Sequence, residues 1–240
     1  MCIRDSITSD KCYENLEWEW GYREIDRIGG IDPYSASKGG AELAINSYSK
    51  CFFNEGGVKV GIGRAGNVIG GGDWSPYRLV PDCMKSWSKN EQVVIRNPNS
   101  TRPWQHVLEP LSGYLLLASK LYLNQELRGE AFNFGPPANQ NFNVMSVVNE
   151  MSKYWDQVKW ETNKDKSFDE SGLLKLNCDK AHSKISWEPV WNLNETIYHT
   201  VNWYKNFYLK KDDNFQLTLN QITDYTNSAI SKGLSWANAK

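Results

Sequence analysis

Several things that would narrow the function of this 240-residue chain at once are scarce or missing. It has no excess of charge of one sign: 27 basic residues balance 28 acidic ones, for a formal net charge of −1. No strong field therefore favours nucleic acid or an anionic membrane surface. The five cysteines, at positions 2, 12, 51, 83 and 178, are scattered, and none forms a C-x-x-C pair. An odd, unpatterned set fits reduced thiols in cytoplasm better than a disulfide framework. Long apolar runs are missing too. The stretch Leu115-Leu116-Leu117-Ala118 is far too short to span a bilayer, and no basic start with a long apolar core marks a signal peptide. His106, His182 and His199 lie far apart with no metal-ligand spacing, so structural or exposed histidines are expected and no metal. Internal repeats and low-complexity tracts are absent. No Gly-rich strand-turn-helix, the phosphate-binding opening of a dinucleotide fold, occurs near the start. The run Gly70-Gly71-Gly72 does not substitute, because it sits in a loop after a strand.

What is present can bury a real core: 40% of the residues are hydrophobic and 11 are Trp. The length suits one large or two small domains. The most informative stretch is residues 30–45, Gly-Ile-Asp-Pro-Tyr-Ser-Ala-Ser-Lys-Gly-Gly-Ala-Glu-Leu-Ala-Ile. Pro33 suits a first helical turn, where a missing N–H costs little. Tyr34 and Lys38, four apart, then share one face of the helix. A nearby ammonium favours phenolate and lowers a Tyr pKa from about 10. Such a pair can take a proton from an alcohol. A surface Tyr and Lys that happen to be four apart would show the same spacing.

The neighbours add to this pair. Thr8-Ser9-Asp10-Lys11-Cys12-Tyr13 lies upstream and Arg64-Ala65-Gly66-Asn67-Val68-Ile69-Gly70-Gly71-Gly72-Asp73-Trp74 downstream. A hydroxyl and acid pair, then Tyr-x-x-x-Lys, then an Arg-x-x-Asn-x-x-Gly turn, in that order, resembles the extended short-chain dehydrogenase/reductase family of NAD-dependent epimerases and dehydratases. Within it, Thr8 to Tyr13, Gly70 to Trp74 and Arg102-Pro103-Trp104-Gln105-His106-Val107 look like the branch that dehydrates CDP-glucose. The resemblance runs from about Ile7 to about Tyr208.

It implies an α/β fold: the C-terminal part of a Rossmann-type doubly wound parallel sheet, plus a smaller α/β substrate domain. Residues 1–72, with a return at 104–156, would be the remaining part of the dinucleotide-binding domain. Residues 73–103 and 157–209 would be the substrate-binding domain, and 210–240 a poorly ordered or loosely docked tail. The chain is expected to be N-terminally truncated and inactive alone, with an open sheet edge and low solubility. Arg4 and Asp5 fall where a buried parallel strand should read as apolar. Residues 1–6 are therefore expected to lie outside the fold.

The resemblance also implies the chemistry. NAD serves as a bound catalyst, and CDP-D-glucose becomes CDP-4-keto-6-deoxy-D-glucose, a lyase step in deoxysugar biosynthesis of the kind that supplies lipopolysaccharide O-antigen. Tyr34 takes the proton of the sugar 4-hydroxyl, and Lys38 also reaches the nicotinamide ribose. Ser9 hydrogen-bonds the 4-oxygen. Asp10 is the acid at the 6-hydroxyl, which requires burial to raise its pKa. Lys11 is either a base at C5, if neutral, or a stabiliser of the enolate, if charged. Asn67 is a substrate ligand or a turn residue tolerating left-handed backbone. Arg102 is a diphosphate clamp or a surface arginine. Other epimerases or dehydratases of the family, or a silent nucleotide-sugar-binding fragment, are the alternatives. Implied partners are a nucleotide sugar and, in the full-length enzyme, a second copy; nucleic acid and membranes are not expected.

Between the motifs, residues 14–30 read as a surface loop and 34–53 as the Tyr34/Lys38 helix. Strands are expected at 58–64, 93–96, 104–107, 131–135, 158–161 and 173–176. Helices are expected from 79 to 87, 109 to 124 and 144 to 155. Two more are expected: one from 180, capped by Asp179, and one over 195–208, capped by Asn194.

Overall fold

The computed structural model describes residues 2–53, 57–162, 172–210 and 213–238. From the N-terminus the chain forms β1 (Cys2–Ile7), α1 (Pro33–Tyr48), β2 (Val58–Ala65), β3 (Val68–Ile69), α2 (Leu79–Ser88), β4 (Val93–Ile95), β5 (Thr101–Arg102) and β6 (Gln105–His106). There follow α3 (Leu108–Leu123), β7 (Ala131–Phe134), β8 (Phe142–Asn143), α4 (Val144–Ser152), β9 (Trp160–Thr162), α5 (Asp179–Ile185), α6 (Leu193–Lys205) and α7 (Asn214–Ser231).

The central sheet has the order β1-β2-β7, and both pairings are parallel. Parallel neighbours need crossover helices, and α1 and α3 supply them on opposite faces. Successive side chains of a strand alternate between faces. Val60 borders a hollow with Ala44 and Tyr48 of α1, and Arg64 bonds Glu42 of α1. Gly61 and Gly63 point the other way. A Cβ on Gly61 would lie 2.6 Å from Leu121 Cδ1, and one on Gly63 2.6 Å from Tyr114 Cε1. Glycine at these two positions lets α3 settle directly on β2.

A second core joins α2, β4, α4, β9 and α6. Val80, Met84, Trp87, Val148, Met151 and Ile197 are all buried in it. Strands β4 and β9 pair in parallel, β3 pairs with β6, and β5 runs antiparallel to β8. The fold class is that expected, an α/β protein with a parallel sheet.

Several sequence expectations need correction. Cys2–Ile7 belongs to the sheet, in register with Val58 to Gly63. Arg4 and Asp5 are tolerated because β1 is an edge strand among the described residues: Arg4 is exposed and Asp5 half-buried. Residues 213–238 do not form a loose tail. Gln221, Tyr225 and Ala229 of α7, four apart, are buried on one face, and Tyr225 and Ala229 pack with Val190, Trp191 and Leu234. The stripe begins with a glutamine, which hides its periodicity. Helix α6 starts at Leu193, two residues early, because Asn192 and Glu195 form a reciprocal capping box. Asp179 is the first residue of α5 and not its cap; Cys178 is the cap, without a side-chain bond. Leu173–Leu176 forms no strand but runs against the 14–30 loop, with a single bridge from Leu176 to Tyr22. That loop is anchored, for Tyr13 and Tyr22 are buried with Leu174 and Leu176. Two of the three histidines do come together, with the His106 and His199 rings 6.4 Å apart and Trp191 stacked on His199 at 3.9 Å.

Ile3 of β1 and Leu123 of α3 border one shallow hollow and are both exposed, as are Ile7 and Leu115 on the same two elements. No helix among the described residues is long and apolar enough to cross a membrane. No group of three or more His, Cys, Asp or Glu among them could hold a metal ion.

Candidate active site

A cleft of about 480 Å³ lies between the carboxyl ends of β1 and β2 and the N-terminal turn of α2. Open α/β sheets bind ligands at that end of their strands. Ser9, Asp10, Lys11, Tyr34, Asn67 and Arg102 all line it. Lys38, alone among the expected site residues, does not.

After β1 the chain tightens into one 3₁₀ turn, Asp10–Cys12. Ser9 caps that turn: its Oγ accepts from the Lys11 N–H at 3.2 Å and donates to Asp10 Oδ1 at 2.9 Å. Asp10 is only 4% exposed. Its Oδ2 has no hydrogen-bond partner among the described residues. Burial holds the Asp10 carboxyl above the ordinary value, while the Ser9 bond and the charges of Lys11 and Arg102 pull it down. The turn after β2 closes over this acid. A Cβ on Gly66 would lie 2.2 Å from Pro103 Cγ and 3.3 Å from Asp10 Oδ2.

Pro33 occupies the first turn of α1, as the sequence predicts, and Asp32 caps it. The helix sets the Lys38 ammonium 5.6 Å from the centre of the Tyr34 ring. Tyr34 is 55% exposed. Asn67 keeps right-handed or extended backbone, since the non-glycine residues with left-handed φ among those described are Glu17, Tyr77, Asn90 and Ser186. The left-handed turn reading of Asn67 therefore fails. Its carbonyl accepts from the Gln105 N–H at 3.0 Å, which joins β3 to β6. Arg102 is no surface arginine, being 3% exposed, with Nη1 donating to the Thr101 carbonyl at 2.7 Å.

Sequence reasoning missed three contributors. Tyr114 of α3 lines the cleft, and the Asp10 charge acts on it. Tyr77, Asp82 and Arg96 build the far wall. Behind α1, Glu42 and Arg64 form a buried ion pair that ties the Tyr34 helix to the end of β2. The signal for the pair was present: an acid four residues after Lys38 and an arginine in an apolar strand both need buried partners.

No family model matches the chain. It is 45% identical over 229 residues to CDP-glucose 4,6-dehydratase of Salmonella typhimurium, an alignment covering 93% of this chain and 64% of that protein. The chain thus spans a little under two thirds of that relative's length. It is 25% identical over 202 residues to UDP-glucose 4-epimerase of Mycoplasma genitalium, covering 77% of this chain and 56% of that one. Among solved structures it superposes on dTDP-glucose 4,6-dehydratase of Bacillus anthracis, crystallised with NAD, with TM-score 0.70 and 21% identity over 84% of this chain and 61% of that one. UDP-glucuronic acid 4-epimerase of Bacillus cereus gives TM-score 0.72 at 17% identity, covering 86% of this chain and 62% of that one. The fold is that of the nucleotide-sugar dehydratases and epimerases. The parallel sheet, with α1 and α3 on its two faces, is the portion of the chain's fold that carries Tyr34 and Asp10.

Proposed function

We propose that this chain forms the catalytic wall and the substrate side of an NAD-dependent 4,6-dehydratase acting on CDP-glucose, a lyase. The observation that carries the reading is Asp10: a buried acid, one oxygen unpartnered, beside Lys11 and in one cleft with Tyr34. An epimerase acting at C4 needs no acid at C6, so this pair favours the dehydratase. The 45% likeness to the Salmonella enzyme supports the base and the reaction.

Tyr34 and Lys38 fit the nicotinamide end of NAD, because the phenol borders the cleft and the ammonium lies against its ring. NAD, when bound, supplies a hydride acceptor and then a hydride donor. Tyr34 takes the proton from the sugar 4-oxygen, with the Lys38 ammonium 5.6 Å from its ring centre. The Ser9 hydroxyl orients that oxygen. A 4-ketone acidifies C5–H, and Lys11 either removes that proton or stabilises the enolate. Asp10, whose carboxyl burial holds above its ordinary value, gives its proton to the departing 6-hydroxyl. Arg102 and Asn67 hold the diphosphate and sugar. Residues 1–72 and 104–156 belong, on this reading, to the dinucleotide-binding domain, and 73–103 and 157–209 to the substrate domain. The full enzyme is a cytoplasmic homodimer, and its product feeds deoxysugar and O-antigen synthesis.

The deciding experiment assays the enzyme that carries this chain with CDP-glucose and with dTDP-glucose. Formation of the 4-keto-6-deoxy product from CDP-glucose in preference supports the proposal. Turnover of neither, or C4 epimerisation alone, overturns it.

A further inference from the structure

We infer that Asp82, with Arg96 beside it, reads the nucleobase at the far end of the cleft and selects cytosine over uracil and thymine. The inference rests on the nucleotide-sugar reading above and names the group that sets its base preference.

The cleft has two ends. Arg102 is close enough to Asp10 for its charge to act on that carboxyl. A diphosphate held by Arg102 therefore stands next to the sugar site. The nucleoside on its other side meets the second wall, which is made by the first turn of α2 and by β4. Two residues there are locked to each other, and a third lines the wall beside them. Arg96 lies over the Tyr77 ring, 5.8 Å from its centre, and Nη2 donates to the Tyr77 carbonyl at 2.9 Å. Asp82 lines the same wall from the first turn of α2, near enough to Arg96 for its charge to act on the carboxylate. Tyr77 itself holds a left-handed φ of 65° and is 79% exposed. A bulky residue in that conformation is strained, and such strain concentrates at ligand-clamping positions.

The chemistry of the pair is directional. A carboxylate only accepts and a guanidinium only donates. Cytosine offers a donor at N4 and acceptors at N3 and O2. Uracil and thymine reverse the first two, with an acceptor at O4 and a donor at N3. Asp82 facing C4 and Arg96 facing N3 and O2 satisfy cytosine. The same pair sets carboxylate against O4 and guanidinium against N3–H in the other two bases. The Arg96 plane and the Tyr77 ring add a flat surface for the base to stack on.

The test is titration of the protein with CDP and with UDP, followed by ligand-observed NMR, for the wild type, Asp82→Asn and Asp82→Ala. One charge-assisted hydrogen bond gained and one clash avoided predict a preference for CDP of about ten- to a hundredfold. Asp82→Ala should weaken CDP by that factor and leave UDP within about threefold. Asp82→Asn keeps the size and shape of the side chain and can turn its amide donor toward O4, so UDP should gain and the preference collapse. Circular dichroism checks the fold, and the asparagine variant decides the matter if the alanine variant unfolds. A folded Asp82→Asn protein with the wild-type preference overturns the inference. Equal binding of CDP and UDP by the wild type overturns it while leaving the nucleotide-sugar reading intact. Binding of neither overturns that reading, and this inference with it.

Discussion

Two buried acidic regions of this molecule are built on opposite terms. Behind α1, Glu42 is 2% exposed and fully partnered. Arg64 donates to its two oxygens from Nε at 2.9 Å and Nη2 at 3.0 Å, and Thr8 Oγ1 donates to Oε1. Arg64 Nη1 also donates to Tyr13 Oη at 2.7 Å, and Tyr13 donates to Asn133 Oδ1 at 2.7 Å. The chain of bonds thus links α1, the Thr8 loop, β2 and β7. On the cleft floor, Asp10 is buried almost as deeply but keeps one oxygen unpartnered. A satisfied buried charge fixes geometry, whereas an unsatisfied one holds a proton and stays ready to act. The first region positions the helix of Tyr34, and the second is where chemistry is expected.

The largest effect should come from breaking the first region. Glu42→Ala leaves the Arg64 guanidinium buried without its carboxylate, a change that costs about 3–5 kcal/mol. Urea unfolding should show that loss. Replacing both partners, as in Glu42→Leu with Arg64→Met, should recover much of it, because the pair's desolvation cost disappears with the pair. A single-variant loss below about 1 kcal/mol would remove the distinction between the two regions.

Glu109 sharpens the comparison from the other side. It is fully buried and fully bonded, accepting from Val190 N at 2.8 Å, Trp191 N at 2.7 Å and Tyr225 Oη at 2.8 Å. Yet burial outweighs these bonds and pushes its carboxyl from 4.5 up to about 7. The folded state therefore holds this proton more tightly than the unfolded chain. Its contribution is complete below about 4.5 and is lost as pH rises through about 7. His106 runs the opposite way, since burial lowers it to about 3 and acid then favours unfolding below 6.5. The wild-type profile alone mixes the two, so Glu109→Gln is the reference. The stability of wild type minus variant should rise by about 3 kcal/mol on going from pH 7.5 to 4.5. A flat difference would mean that bonding, not burial, governs Glu109.

The legible part of the molecule was the part written in local spacing. Tyr34 and Lys38 share a helical face because four residues make only slightly more than one turn, and Pro33 marks where that helix begins. Ser9, Asp10, Asn67 and Arg102 meet in one cleft because they follow or border strand ends, where the order of motifs placed them. What was not legible depends on contacts far apart in the chain. Val190 and Trp191 receive α7 through Tyr225, an interaction no periodicity announces. The Glu42 bonds to Arg64 and Thr8 cross 22 and 34 residues. The 3₁₀ turn at Asp10 took its shape from the Ser9 cap, a local signal that could have been read. Asn192 lost to Asn194 as the expected cap because only the reciprocal Glu195 bond distinguishes them.

Arg102 tests whether the cleft floor serves a ligand or only itself. Its guanidinium is buried, and its charge lowers the Asp10 carboxyl against the effect of burial. Arg102→Ala should weaken CDP binding about ten- to a hundredfold, the contribution of one charge-assisted bond to phosphate. The same variant should push the Asp10 carboxyl further up. An unchanged dissociation constant for CDP would leave Arg102 as a partner of the floor and not of a diphosphate.

The smallest effect on stability, and the one most specific to the floor, belongs to Asp10→Asn. An asparagine has the shape of the protonated acid and carries no charge to desolvate. If the region is built as described, stability at neutral pH should change by less than about 1 kcal/mol, with any change a gain. The sign follows from burial, which raises the folded-state value above 3.8. The folded state holds this proton more tightly than the unfolded chain, so Asp10 costs the fold stability at neutral pH, and the cost fades as pH falls toward 3.8, where the two proteins should converge. Catalysis should respond differently. The amide can neither hold nor give the proton that a departing 6-hydroxyl needs, while proton removal by Tyr34 is untouched. In the enzyme carrying this chain, elimination should slow and nicotinamide in its reduced form should build up, visible in its absorbance. A variant that loses several kcal/mol of stability would place Asp10 with Glu42, as a fixed partner in a network. One that folds normally but shows no build-up would move Asp10 to the first half of the reaction.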